Sequence, residues 1–176
     1  RPRSGRRRCP VCDAPLNPNI WGYASQGVAP YDPEKAKELL TEAGYPDGVT
    51  IKMTGITGRY VCDSDIEQAI VSMAAQVGIN IDLELLEFST WSEILSSNSW
   101  TDTTFVCYGV GFMDGAYPMT RYTEAADSGM NWNNPEYEAL FAAAKTNMDL
   151  DSREQQFKDC QQLVAEELPS IQLIQP

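Results

Sequence analysis

The sequence predicts an α/β fold, a mixed sheet built on a βαβ unit with flanking helices. Three observations predict it. Val49, Ile51 and Met53 alternate over 49–54, and Ile79, Ile81, Leu83 and Leu85 alternate further on. Between them, Ile66, Ala69, Ile70, Met73, Ala74 and Val77 recur at helical spacing. Strand, helix and strand within about 40 residues call for parallel strands and a right-handed crossover. The length of 176 residues suits one domain, or part of a larger one.

The elements follow in order. Residues 1–31 are rich in Pro, Gly, Asn and Arg and lack periodicity, so they read as irregular chain. Within them, 1–14 form an irregular or disordered basic N-terminal segment, and the body of the chain spans 15–176. Trp21 and Tyr23 are expected to pin this stretch to the body, because large aromatics bury much area. Asp32-Pro33 is an N-cap with proline at the first helical position. Ala36, Leu39, Leu40 and Ala43 then follow, and Gly44 stops the helix. Pro46-Asp47-Gly48 is a turn into the first strand. Ser64 and Glu67 form a capping box for the second helix, which Gly78 stops. Thr90 and Glu93 box a short helix carrying Trp91, read as core or as cleft lining. Residues 103–109 are a third, buried strand. Residues 110–133 have no period, and loops this long are often functional. Asn134-Pro135 caps a helix with Tyr137, Leu140, Phe141 and Ala144 inward. Asp151 and Glu154 box the last helix, with Phe157, Cys160, Leu163, Val164 and Leu168 inward. Pro169 ends it, and Ile171 and Leu173 make a short final strand.

Composition excludes several function classes. There is no histidine, so Ser-His-Asp and Cys-His catalysis and His-ligated zinc or haem are not available from these residues. No run of 18 apolar residues exists to span a membrane, and no signal sequence begins the chain. Five of the 13 basic residues are arginines in the first eight positions. That leaves 8 basic against 25 acidic residues from position 9 onward, a net charge of −17. Such a body repels nucleic acid and anionic membrane. The arginine head is either a disordered tail or a short basic arm.

The local motifs are few. Cys9-Pro10-Val11-Cys12 has the spacing of half a zinc site or a redox pair, or is an incidental or disulfide-forming pair. Cys107 and Cys160 lie on apolar stretches and read as core thiols. Gly109-Val110-Gly111 lacks the third glycine of a dinucleotide loop, since position 114 is Asp. No cofactor motif is present. Asp114 stands just past a strand, between Phe112-Met113 and Gly115-Ala116-Tyr117. A carboxylate there suits a cation such as an ammonium group, or simply forms a turn before glycine. Gly58, Arg59 and Tyr60 follow the first strand, and Arg59 is either a solvated loop charge or an anion contact.

Several segments resemble the family-5 extracellular solute-binding proteins of ABC importers, in order and spacing. They are Leu16-Asn17-Pro18-Asn19-Ile20-Trp21-Gly22-Tyr23; Tyr31-Asp32-Pro33-Glu34-Lys35-Ala36; Glu42-Ala43-Gly44-Tyr45-Pro46-Asp47-Gly48; Gly58-Arg59-Tyr60; Gln76-Val77-Gly78-Ile79-Asn80-Ile81; Asn134-Pro135-Glu136-Tyr137; Asp151-Ser152-Arg153; and Glu166-Glu167-Leu168-Pro169. The resemblance covers roughly 15–176. It implies a type II periplasmic-binding-protein-like fold, and for this chain most of the C-terminal lobe of a two-lobed protein that closes by a hinge. Several members hold a ligand amino group with an Asp in a Gly-Trp-x-x-Asp stretch. Here that stretch reads Gly109-Val110-Gly111-Phe112-Met113-Asp114, with the tryptophan replaced and the spacing longer.

The resemblance therefore implies a binding component, not an enzyme, that captures a small polar solute, foremost a peptide, for an ABC permease. Asp114 is its expected amino-group partner. Tyr108, Phe112 and Met113 line the wall, and Gly58, Arg59 and Tyr60 form the neighbouring loop. No cofactor, metal or nucleic acid is expected. The protein is expected to be extracellular or periplasmic and monomeric, touching membrane only through an anchor outside this chain. The competing reading is a small redox or zinc module using Cys9 and Cys12.

Overall fold

The structure, a computed structural model, describes residues 11–28, 30–97, 99–100, 102–107, 112–123, 130 and 132–174. The chain divides into two compact units. One is Pro30–Gly109; the other joins Arg1–Ala29 to Val110–Pro176.

The Pro30–Gly109 unit opens with α1 (Pro33–Glu42). Asp32 caps it as expected, its side chain accepting from the Lys35 amide. A tight turn leads into β1 (Val49–Thr57). Gly48 is required there: its φ is +88°, and a Cβ would run into the carbonyl oxygen of Gly78. After α2 (Asp63–Ala75) comes β2 (Ile79–Glu87), which pairs with β1 in parallel from Val49↔Ile79 to Thr57↔Glu87. The βαβ expectation therefore holds. α3 (Phe88–Ser96) buries Trp91, and β3 (Thr103–Thr104) completes a sheet of order β2-β1-β3.

Several local expectations fail, each for a physical reason. Among the described residues this sheet is parallel throughout rather than mixed. The antiparallel pairing is one bridge in the other unit, Val11↔Ile174, which replaces the expected final strand. The third strand, expected over 103–109, stops at Thr104. In the 54↔104 register the next donor toward β3 is the Ile56 amide. That amide instead donates to Glu67 Oε1 at 2.9 Å, so the ladder ends with the bond from the Phe105 amide to the Thr54 carbonyl.

The capping boxes fail too. Cys62 enters α2 in the left-handed region, φ 60°, and the helix starts at Asp63 rather than after Ser64. Glu67 does not reach back to a cap; it is fully buried against β1. α3 begins at Phe88 with no side-chain cap, and α6 is capped by Asp149 rather than Asp151. The stripe on α2 is not core: its buried residues are Asp63 and Glu67. A three-stranded sheet with a two-residue edge offers too little surface to cover the whole helix.

The other unit is helical. α4 (Ala116–Met119) and a 3-10 turn (Thr120–Tyr122) sit inside the stretch expected to be loop. α5 (Pro135–Thr146) starts at Asn134, whose side chain accepts from the Glu136 and Tyr137 amides. α6 (Leu150–Glu167) packs on α5 and ends at Leu168 in the left-handed region. The core joins Leu16, Ile20, Met119, Tyr122, Tyr137, Phe141, Ala144, Phe157, Cys160 and Val164. The aromatic pins behave as expected. Trp21 meets Phe157 edge-on at 5.8 Å, and the Tyr23 hydroxyl donates to Asp13 at 2.8 Å. Buried Gln161 donates to the Gly22 carbonyl, tying the irregular segment to α6. Residues 11–14 are anchored as well, since Ala14 is buried and the Cys12 amide donates to the Leu173 carbonyl.

Candidate functional site

In the Pro30–Gly109 unit, β1 ends at Thr57 and Gly58 turns the chain at φ +75°. The loop that follows is held by Asp63, the first residue of α2. Its Oδ2 accepts from the Arg59 amide at 2.8 Å and the Tyr60 amide at 2.9 Å, and its Oδ1 from the Ser64 amide at 2.8 Å. These backbone donors, foremost Tyr60, outweigh burial and push the Asp63 carboxyl down to about 2. The Tyr60 hydroxyl donates to the Cys107 carbonyl at 3.1 Å. With its backbone fixed, the exposed Arg59 lays its guanidinium 4.5 Å over the Phe88 ring and 5.8 Å from the Tyr60 ring. Stacking on rings leaves the edge of a guanidinium free to bond in-plane to a carboxylate.

In the other unit, the Trp21 amide donates to the Met113 carbonyl and the Gly115 amide to the Trp21 carbonyl, both at 3.0 Å. This parallel bridge of Trp21 with Asp114 fixes the residues around it. Phe112, Met113 and Tyr117 remain exposed, with Phe112 and Tyr117 edge-on at 5.3 Å. The cation that Asp114 meets in this structure belongs to the chain itself. Arg153 reaches from α6, with Nη1 to Oδ2 at 2.9 Å and Nη2 to Oδ1 at 3.0 Å. Oδ1 also accepts from the Ala116 amide at 2.8 Å, an Asx turn opening α4. Arg153 lies over Trp21 at 4.7 Å and Phe157 at 5.1 Å, and its Nε donates to the Ala144 carbonyl. Partial burial raises the Asp114 pKa, but the bonds from Arg153 and Ala116 and the guanidinium charge overcome it, and the net direction is down.

The expected site residues thus fall into two groups. Gly58, Arg59 and Tyr60 share one loop; Phe112, Met113 and Asp114 share another in the second unit. Tyr108 and the Gly109–Gly111 stretch lie outside the described residues, as does Cys9. Asp63 and Arg153 were not singled out from sequence. The acidic residue after Gly58-Arg59-Tyr60 was the signal for the first; nothing local pairs Arg153 with a residue 39 positions away. Cys12 carries a free thiol whose pKa is raised by burial and by Asp13, the opposite of an activated cysteine. Among the described residues no group of three or more Cys, Asp or Glu could hold a metal ion. No helix among them is long and apolar enough to cross a membrane.

The Pro30–Gly109 unit is thus a parallel α/β layer with a stacked arginine just past the carboxyl end of β1. The model for bacterial extracellular solute-binding proteins, family 5 Middle, matches residues 11–134, and the chain belongs to that family. It is 29% identical over 164 residues to heme-binding protein A of Haemophilus influenzae, spanning 89% of this chain and 30% of that protein. It is 26% identical over 174 residues to di/tripeptide-binding protein 2 of Pseudomonas aeruginosa, spanning 92% and 32%. The chain thus spans about a third of the length of the curated relatives it matches. In fold it resembles a dipeptide-binding protein from Pseudoalteromonas in complex with Met-Leu, with a TM-score of 0.84, 23% identity, and coverage of 93% of this chain and 34% of that one. It also resembles NikA from Staphylococcus aureus in complex with Ni(L-His)2, with a TM-score of 0.81, 23% identity, and coverage of 92% and 35%.

Proposed function

We propose that this chain is one lobe of an extracellular or periplasmic solute-binding protein that captures a short peptide and presents it to an ABC permease, without chemistry. The observation that carries the reading is Arg59. Its backbone is clamped by Asp63, and its exposed guanidinium is stacked on Phe88. That is the arrangement of a fixed hydrogen-bond donor for a ligand carboxylate. Gly58 and Tyr60 shape the loop around it. In the other unit, Phe112 and Met113 are exposed on their own loop and offer apolar surface. Names among the relatives point the same way, since they include di/tripeptide-, dipeptide- and glutathione-binding proteins.

Asp114 is assigned a positioning role. Its oxygens are engaged by Arg153 and by the Ala116 amide, so it holds the Phe112–Met113 loop against Trp21. The working protein acts as a monomer. The test is calorimetry of the full-length protein with di- to pentapeptides. Binding is expected, and Arg59→Gln is expected to weaken it by about 10- to 100-fold, the worth of one charge-assisted bond. C-terminally amidated peptides are expected to lose a similar factor. Equal affinity for acid and amide forms would sink the carboxylate assignment.

A further inference from the structure

Glu67 is a fully buried carboxyl on α2 with no cationic partner among the described residues. Oε1 accepts from the Ile56 amide, and Oε2 has no hydrogen-bond partner among the described residues. It presses so close to β1 that a Cβ on Gly55 would come within 2.8 Å of Oε2. One turn earlier on the same helix, Asp63 stays ionised because backbone amides surround it. The elements packed on α2 offer Glu67 no compensating charge. β1 meets α2 through Gly55, Thr57 and the Ile56 amide, and the acidic residues of β2, Asp82, Glu84 and Glu87, are exposed. A naked carboxylate in such a place is costly, and a like charge at i−4 adds to the cost.

We infer that Glu67 carries a proton in the folded protein and positions the Arg59–Tyr60 loop, so that losing the proton to water loosens that loop. The coupling is geometric. Glu67 ends the β1–β3 ladder at Ile56 and seats the first turn of α2 on β1. Asp63, on that turn, holds the Arg59 and Tyr60 amides. Release of α2 from β1 therefore releases the loop. Two carboxyls a turn apart are driven to opposite protonation states by their settings. Burial, outweighing the Ile56 bond and helped by Asp63, pushes Glu67 up to about 7, from an ordinary 4.5. Its folded value lies above its unfolded one. The stabilisation is thus full below about 4.5, falls as pH rises from there to about 7, and is flat above. The regulatory part of this inference rests on the reading of Arg59 as a ligand contact; the proton on Glu67 does not.

The experiment is a pH series on the ligand-free chain by NMR. It follows the Glu67 carboxyl carbon and the exchange of the Ile56, Arg59 and Tyr60 amides, corrected for intrinsic rates. Glu67 is expected to titrate near 7. Protection of the three amides is expected to fall by about tenfold or more between pH 5 and 7.5, relative to amides in the α5–α6 core. Glu67→Gln keeps the acceptor for Ile56 and removes the charge, so its protection is expected to be independent of pH. A Glu67 midpoint below 5.5 overturns the inference, as does wild-type protection that does not change with pH. The wild-type series stands without the variant. Failure to bind any peptide, with this titration intact, would sink the proposed ligand class and leave the proton in place.

Discussion

Breaking the Asp114–Arg153 pair separates two roles for Asp114. The pair is two charge-assisted hydrogen bonds in a fork, each worth about 1.5–3 kcal/mol when shielded. The Asp114 side chain is 42% exposed and that of Arg153 17%, so screening cuts the coupling to about 1–2 kcal/mol. For a chain of this size that is a fall of about 2–8 °C in Tm. Asp114→Asn keeps the acceptor for the Ala116 amide and loses the charge. Arg153→Met keeps part of the packing on Trp21 and Phe157 and loses the fork. The assay is a double-mutant cycle in urea, with peptide affinity measured on the same variants in the full-length protein. Both single variants are expected to lose stability, and the double variant is expected to be little worse than either. Asp114→Asn is expected to change peptide affinity less than threefold. The pH dependence has a definite sign. Because the folded Asp114 pKa lies below its ordinary 3.8, the pair's contribution is full above that value and fades as pH falls through the folded one. Coupling below about 0.5 kcal/mol, with Asp114→Asn at wild-type stability and its affinity down tenfold or more, would refute the reasoning and return Asp114 to the ligand.

Two further predictions concern the buried groups. Gly55→Ala places a Cβ against the Glu67 carboxyl and is expected to cost about 1–3 kcal/mol in the wild-type background and much less in a Glu67→Ala background, which itself loses stability by orphaning the Ile56 amide; thermal unfolding of both single variants and the double variant checks this. The Cys160 thiol, fully buried and pushed up to about 12, is expected to resist a thiol reagent at pH 8 until denaturant is added, while exposed Cys62 reacts in the native chain; timed labelling with mass mapping distinguishes them.

The parts of the fold legible in the sequence are those with a local cause. Asp32-Pro33 and Asn134-Pro135 start helices because an acceptor side chain and a fixed φ act within three residues. Gly48 and Gly78 punctuate strand entry because only glycine tolerates those backbone angles beside each other. The Ser64–Glu67 box failed because Glu67 has a partner at a distance. Glu67 was drawn to the Ile56 amide on β1, and α2 was entered through Cys62. The β1–β3 ladder is short for the same reason, and no pattern within 103–109 records it.

By itself, the sequence determined the βαβ order, the starts of α1 and α5 and the family, because periodicity, caps and spaced motifs are properties of neighbouring residues. Tertiary structure decided what the charged side chains do. Asp114 looked like a binder of cations and met Arg153, 39 positions on. Asp63 became the clamp of the Arg59 loop, and Glu67 became a carboxyl sealed from water. The role of a carboxylate is set by which donors and how much solvent surround it, and folding brings those from anywhere along the chain.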